Sequence, residues 1–141
     1  MDPSTPRQQK KYNMQLQGIH HIAIITGRYE ESKAFYTEVL GFEVVAETYR
    51  AARDSYKLDL SLNGHYTIEL FSFPGAPERP SYPEARGLRH LAFVVKDVDA
   101  AAEELRAKGI VVEPVRIDEI TGKRYTFFPD PDGLPLEFYE P

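Results

Sequence analysis

Two histidines and two glutamates carry the pattern with the most chemistry in this chain: His21, Glu69, His90 and Glu137. Each histidine opens a short apolar run, His21-Ile22-Ala23-Ile24 and His90-Leu91-Ala92-Phe93. Each glutamate stands between two apolar residues, Ile68 and Leu70 in one case, Leu136 and Phe138 in the other. Side chains on a strand alternate faces. The apolar neighbours need a core, so the two His/Glu pairs are expected on the opposite faces of their sheets. Small residues, Ala23 and Ala92, would leave space beside the histidines. Two carboxylates facing one cavity repel, and a buried unpaired carboxylate is costly. One divalent cation would neutralise both. Two neutral imidazoles would then complete a four-donor set with positions open for water or substrate. On this reading His21, Glu69, His90 and Glu137 are metal ligands. His20 has Arg89 as its counterpart, which cannot ligate, and alternation sends it to the far face. His65 follows the turn Asn63-Gly64 and is expected in solvent.

The elements that must position these residues come from one module written twice. Gly18 to Ile25 resembles Gly87 to Val94, Leu40 to Val44 resembles Lys108 to Val112, and Asn63-Gly64 with Glu69 resembles Asp132-Gly133 with Glu137. The landmarks keep their order and nearly their spacing. Each module reads as strand, helix, then three strands. In the first, the expected strands are residues 20–26, 42–48, 56–62 and 66–73, with a helix over 30–40. In the second, the helix spans 99–108 and the later strands 110–117, 124–128 and 134–139. Phe35, Tyr36, Val39 and Leu40 form one apolar helical stripe; Val98, Ala101, Ala102 and Leu105 form the other. Gly41 and Gly109 stand where helix ends favour a left-handed residue, and Asp97 or Asp99 can cap the second helix. Asn63-Gly64 and Asp132-Gly133 are hairpin-turn dipeptides.

The domain division follows. Residues 1–17 read as a flexible tail in which Met14 is a candidate start. Residues 18–141 form a single domain: module one over 18–73, a linker over 74–86, and module two over 87–141. Pro74, Pro77, Pro80 and Pro83 recur every third residue, as in a polyproline II segment, which suits a stiff linker.

Composition excludes several classes. The 141 residues carry a net charge of −5 and are 42% hydrophobic, which argues against nucleic acid as the main partner. No apolar run is long enough to span a bilayer. There is no cysteine, which removes thiolate ligands and fits a reducing, cytoplasmic setting. Arg50, Arg53 and Lys57 form one basic group near the strands, and Lys123 with Arg124 another. Either could hold an anionic substrate, or simply offset Asp54 and Glu47.

These marks, together with Gly87-Leu88-Arg89-His90 and Asp130-Pro131-Asp132-Gly133-Leu134-Pro135-Leu136-Glu137, resemble the vicinal-oxygen-chelate superfamily that includes glyoxalase I. The similarity is greatest to its bacterial glyoxalase-like branch. The resemblance implies an α+β fold in which two βαβββ modules form mixed sheets curled around a metal site. The order His, Glu, His, Glu matches the bacterial glyoxalase I type. Extradiol dioxygenases and fosfomycin-modifying transferases of the superfamily use two His and one Glu, and bleomycin-resistance proteins lack the ligands. The expected activity is therefore a lyase or isomerase like lactoylglutathione lyase. It would act on a small substrate with vicinal oxygens, through proton abstraction and a metal-stabilised enediolate. Glu137 or Glu69 would be the catalytic base. One divalent ion is implied, nickel or cobalt ahead of zinc, with manganese or iron open. A homodimer is expected, with the modules pairing within or between chains. The alternatives are another metalloenzyme of the fold, a dioxygenase or thiol transferase, or a non-catalytic binding protein.

Overall fold

The computed structural model describes residues 13–141. Most of the expected tail, residues 1–12, lies outside the described residues. The chain runs β1 (Ile22–Thr26), α1 (Tyr29–Ala34), β2 (Glu43–Arg50), β3 (Ser55–Leu62), β4 (His65–Ser72), β5 (Leu91–Val94), α2 (Val98–Ala107), β6 (Arg116–Ile117), β7 (Arg124–Pro129) and β8 (Pro135–Tyr139). Two four-stranded mixed sheets result, ordered β1-β4-β3-β2 and β5-β8-β7-β6. In each, the first strand runs parallel to the last and the remaining pairs are antiparallel. The repeat is therefore a repeat of topology.

One expectation is overturned. The sheets do not curl around a metal site, and neither sheet is closed. β1 and β2 remain edges of the first sheet, β5 and β6 of the second. Four strands are too few to close, since small barrels need about eight. The β6 ladder is only two residues long, so residues 110–115 do not extend the sheet as expected.

Local chemistry explains most of the boundaries. The Asp97 side chain accepts from Ala100 N–H at 3.0 Å, capping α2. Gly109 (φ 82°) and Gly41 (φ 85°) hold left-handed conformations just past the helical segments. The first helix is shorter than its stripe suggests. After Ala34 it loosens into a π-helical stretch, Phe35–Val39, with Leu40 N–H bonding Phe35 C=O at 3.0 Å. Asn63 and Gly64 both take positive φ, 51° and 80°, as a tight hairpin turn requires.

The two modules share one core. Phe35 packs on Phe128, and Phe42 packs edge-on to Phe93. Tyr36 is fully buried and donates its hydroxyl to Asp130 at 2.8 Å. Asp132 accepts from Thr26 Oγ1 at 2.5 Å and from Gly27 N–H at 2.8 Å. The Asp130–Gly133 loop thus latches module two onto the start of module one's helix. Each module spends its helix-side face on the other module. The opposite face of the first sheet leaves Ala23 and Ile25 exposed, whereas on that of the second sheet linker residues Arg79, Ser81 and Tyr82 lie beside His90 and Phe127.

Candidate metal and catalytic site

The His/Glu pairs lie on the sheet faces opposite the shared core. Ala23 pairs with Glu69 and Ala92 with Glu137 in the two parallel ladders. Ile24, Ile68, Leu70, Leu136 and Phe138 are buried on the other face. His21 Nε2 approaches Glu69 Oε1 to 3.4 Å, and His90 Nε2 approaches Glu137 Oε1 to 3.6 Å. Two equivalent pairs are therefore assembled, one per sheet. They are not assembled with each other. Among the described residues, no three His, Asp or Glu side chains converge closely enough to hold a metal ion.

The surroundings of the two glutamates differ. Glu69 accepts from the Tyr66 hydroxyl at 2.5 Å, and Lys57 Nζ stands 3.6 Å away. Asp59 lies 3.0 Å from the same hydroxyl and competes for its one proton, and Lys57 pairs with Asp59 at 2.9 Å. Burial, with hydrogen bonds to Glu69 and Asp59, pushes the Tyr66 phenol well up, so it stays a donor. The bond to Asp59 holds the Lys57 ammonium above its usual value. Among the described residues Glu137 has His90 alone as an ion-pair partner, and it is 9% exposed. Desolvation raises its carboxyl pKa, opposed by the His90 charge. Phe127 lies opposite it, where Asp59 lies opposite Glu69. The His90 ring meets Phe127 edge-on at 5.0 Å, and its Nδ1 is buried without a partner among the described residues. A cavity of about 210 Å³ adjoins His90, lined by Arg79, Tyr82, Arg89, Arg116 and Phe127 among others.

Two site neighbours, Tyr66 and Asp59, were missed from sequence, and Lys57 was read only as part of a basic group. Tyr66, Asp59 and Lys57 gather around Glu69 because a bulge between Leu60 and Ser61 shifts the β3–β4 register, setting Asp59 across from Glu69. His20 also departs from its expected placement. Its Nδ1 lies 2.7 Å from His21 Nδ1, and its ring contacts Tyr66. Strand pairing starts at Ile22, so alternation does not govern the two residues before it. His65 is exposed at the start of β4. Of the second basic group, Arg124 pairs with Asp99 and Glu140, and Lys123 bonds the Pro141 carbonyl.

Residues 18–138 match the family model described as the Glyoxalase/Bleomycin resistance protein/Dioxygenase superfamily. The chain belongs to that superfamily, in its glyoxalase I-like branch. It is 66% identical over 127 residues to the uncharacterized protein YwkD of Bacillus subtilis, covering 90% of this chain and 99% of the relative. The crystal structure of a glyoxalase family protein from Enterococcus faecalis superposes with a TM-score of 0.82 at 50% identity, covering 88% of this chain and 98% of that one. A 2-epi-5-epi-valiolone epimerase from Actinomyces sp is 33% identical over 140 residues, covering 84% of this chain and 76% of the epimerase. The family thus includes working enzymes among this chain's relatives. No helix among the described residues is long and apolar enough to cross a membrane.

Proposed function

We propose that the protein is a cytoplasmic, metal-dependent lyase or isomerase of the glyoxalase kind. Its site is completed when two chains pair, His21 and Glu69 of one facing His90 and Glu137 of the other. The observation that carries this is the doubled His/Glu pair, each on the sheet face opposite the shared core and each too small alone to hold an ion. Four such donors suit a borderline divalent ion, nickel or cobalt ahead of zinc. Glu137, desolvated beside His90 Nε2, suits a carboxylate that a cation would neutralise. Apolar residues exposed on the same faces, Ile25 at 55% and Val94 at 69%, support cover by a second copy.

When bound, the ion supplies Lewis-acid stabilisation to two adjacent substrate oxygens. The chain's own residues supply the rest. Glu137, with no hydroxyl or ammonium close to it, is the base that takes a proton from the carbon beside the carbonyl and returns one. Glu69 is steadied by Tyr66 and Lys57 and serves as the fixed ligand. The kinship to an epimerase, a name denoting inversion at one carbon, supports proton removal and return as the shared step.

Metal titration tests this directly. Chelated protein is titrated with Ni²⁺, Co²⁺, Zn²⁺ and Mn²⁺ while its thermal midpoint and mass in solution are followed. One ion per chain, two per dimer, with a raised midpoint is expected. A monomer whose midpoint ignores all four ions contradicts the reading. Turnover of methylglyoxal with glutathione by the loaded protein would name the reaction.

A further inference from the structure

On the face of the first sheet that carries Glu69, two arginines stand over one aromatic ring. The Arg50 guanidinium lies 4.9 Å from the Phe71 centroid and 5.6 Å from that of Phe73. The Arg53 guanidinium lies 5.1 Å from the same Phe73 ring. The two rings are themselves stacked at 5.9 Å. Phe71 follows Glu69 by two residues in β4, so the platform starts about 7 Å along the strand from the ligand carboxylate.

Neither arginine has a carboxylate within 4.0 Å among the described residues. The acids that could have neutralised them are engaged elsewhere. Asp54 accepts from Tyr49 at 2.6 Å, and Glu47 takes Lys33 at 2.8 Å together with the Tyr29 hydroxyl. Arg50 gives one Nη2 bond to Ser55 at 3.0 Å, while its Nε is buried without a partner among the described residues. A buried, unused guanidinium N–H is an expensive group to leave empty. A second platform, at a different place in the repeat, offers a contrast. In module two Arg116 also lies over two rings, Tyr125 at 5.3 Å and Phe127 at 6.0 Å, but Glu113 neutralises it at 3.0 Å. Of these two platforms, the one at Arg50 and Arg53 keeps uncompensated positive charge among the described residues, in a chain whose net charge is −5.

From this we infer that Arg50 and Arg53, held flat by Phe71 and Phe73, form an oxyanion subsite for a carboxylate or phosphate of the substrate. A guanidinium presents donors in a planar fork suited to that geometry. Stacking on a ring fixes the plane without using its N–H groups. Lys57, between the platform and Glu69, shields the anion from Glu69 and Asp59. The inference deepens the proposed function. It rests on that reading for the substrate's other end, with its adjacent oxygens at His21 and Glu69.

The probes are inorganic phosphate and acetate, titrated into metal-free protein while the arginine Nε–H resonances are followed by NMR. Millimolar binding that shifts the Arg50 signal is expected. It should weaken by at least about tenfold in Arg50→Gln with Arg53→Gln. Tighter phosphate than acetate marks a phosphate ester as the source of the anion, and the reverse marks a carboxylate. His21→Ala should leave this binding intact, so that a failed metal site and a failed anion subsite are told apart. Silence of the Arg50 signal, or undiminished binding in the double variant, overturns the subsite. So does a double variant that changes only the monomer–dimer balance, since the guanidiniums would then be held by a second copy.

Discussion

Glu137→Gln protein is expected to fold as the parent does and to fail at metal binding and turnover. The substitution keeps volume and removes one charge at a position 9% exposed. With one carboxylate left, the ion is no longer neutralised. The affinity loss should exceed the roughly 10–100-fold that follows removal of a ligand's outer partner. The metal-free protein should respond in the opposite direction. Desolvation raises the Glu137 pKa in the fold. A raised carboxyl contributes stability that is present below its unfolded value and is lost as pH rises through the folded value. Ionisation of Glu137 therefore opposes folding, and the amide, which does not ionise, carries no such penalty. Thermal midpoints should read Glu137→Gln at or above wild type without metal, and clearly below wild type with it. Parental metal affinity in the variant would remove Glu137 from the site.

Asp130→Ala is expected to cause the largest loss of stability. Asp130 is 4% exposed and accepts three bonds, from Tyr36 Oη at 2.8 Å and from the N–H groups of Asp132 and Leu134, each at 2.9 Å. Alanine would leave three buried donors unpaired, at about 1–3 kcal/mol each before relaxation. A net cost of about 3–5 kcal/mol is a large share of a domain's whole margin. The acceptor sits in module two and its phenol donor in module one, so the loss falls on the seam between them. Urea unfolding should show a lower midpoint, and the near-ultraviolet circular dichroism of the buried Tyr36 should weaken. Tyr36→Phe, which removes one donor and leaves the two backbone bonds, should cost about 1–2 kcal/mol. An Asp130→Ala midpoint within error of wild type would contradict the latch.

Much of this architecture was legible because it was written twice. The turn at Asn63-Gly64, the glycines after both helices and the Asp97 cap each have a local cause that single residues declare. The two His/Glu pairs follow from alternation along β4 and β8, where every neighbour is apolar. What was not legible depends on register or on distant packing. The Leu60/Ser61 bulge brings Asp59 opposite Glu69, and no residue type announces a bulge there. His20 escapes alternation because it precedes the ladder. The curled sheets failed for a larger reason. Hydrophobic pattern says which face needs cover, but not whether a helix, the other module or a second chain supplies it. Here the helix faces cover each other through Tyr36, Phe42, Phe93 and Phe128, and the His/Glu faces lie on the far sides of the sheets.

Pairing of half-sites between chains is tested most directly by mixing two disabled proteins. One carries His21→Ala with Glu69→Ala and keeps the second half-site; the other carries His90→Ala with Glu137→Ala and keeps the first. Each alone should hold no tightly bound metal. After subunit exchange, random pairing makes half of the dimers mixed, and each mixed dimer regains one of its two sites. Metal content should return to about one quarter of wild type. A mixture that stays empty, or a single variant that binds as wild type does, would contradict a site built from two chains.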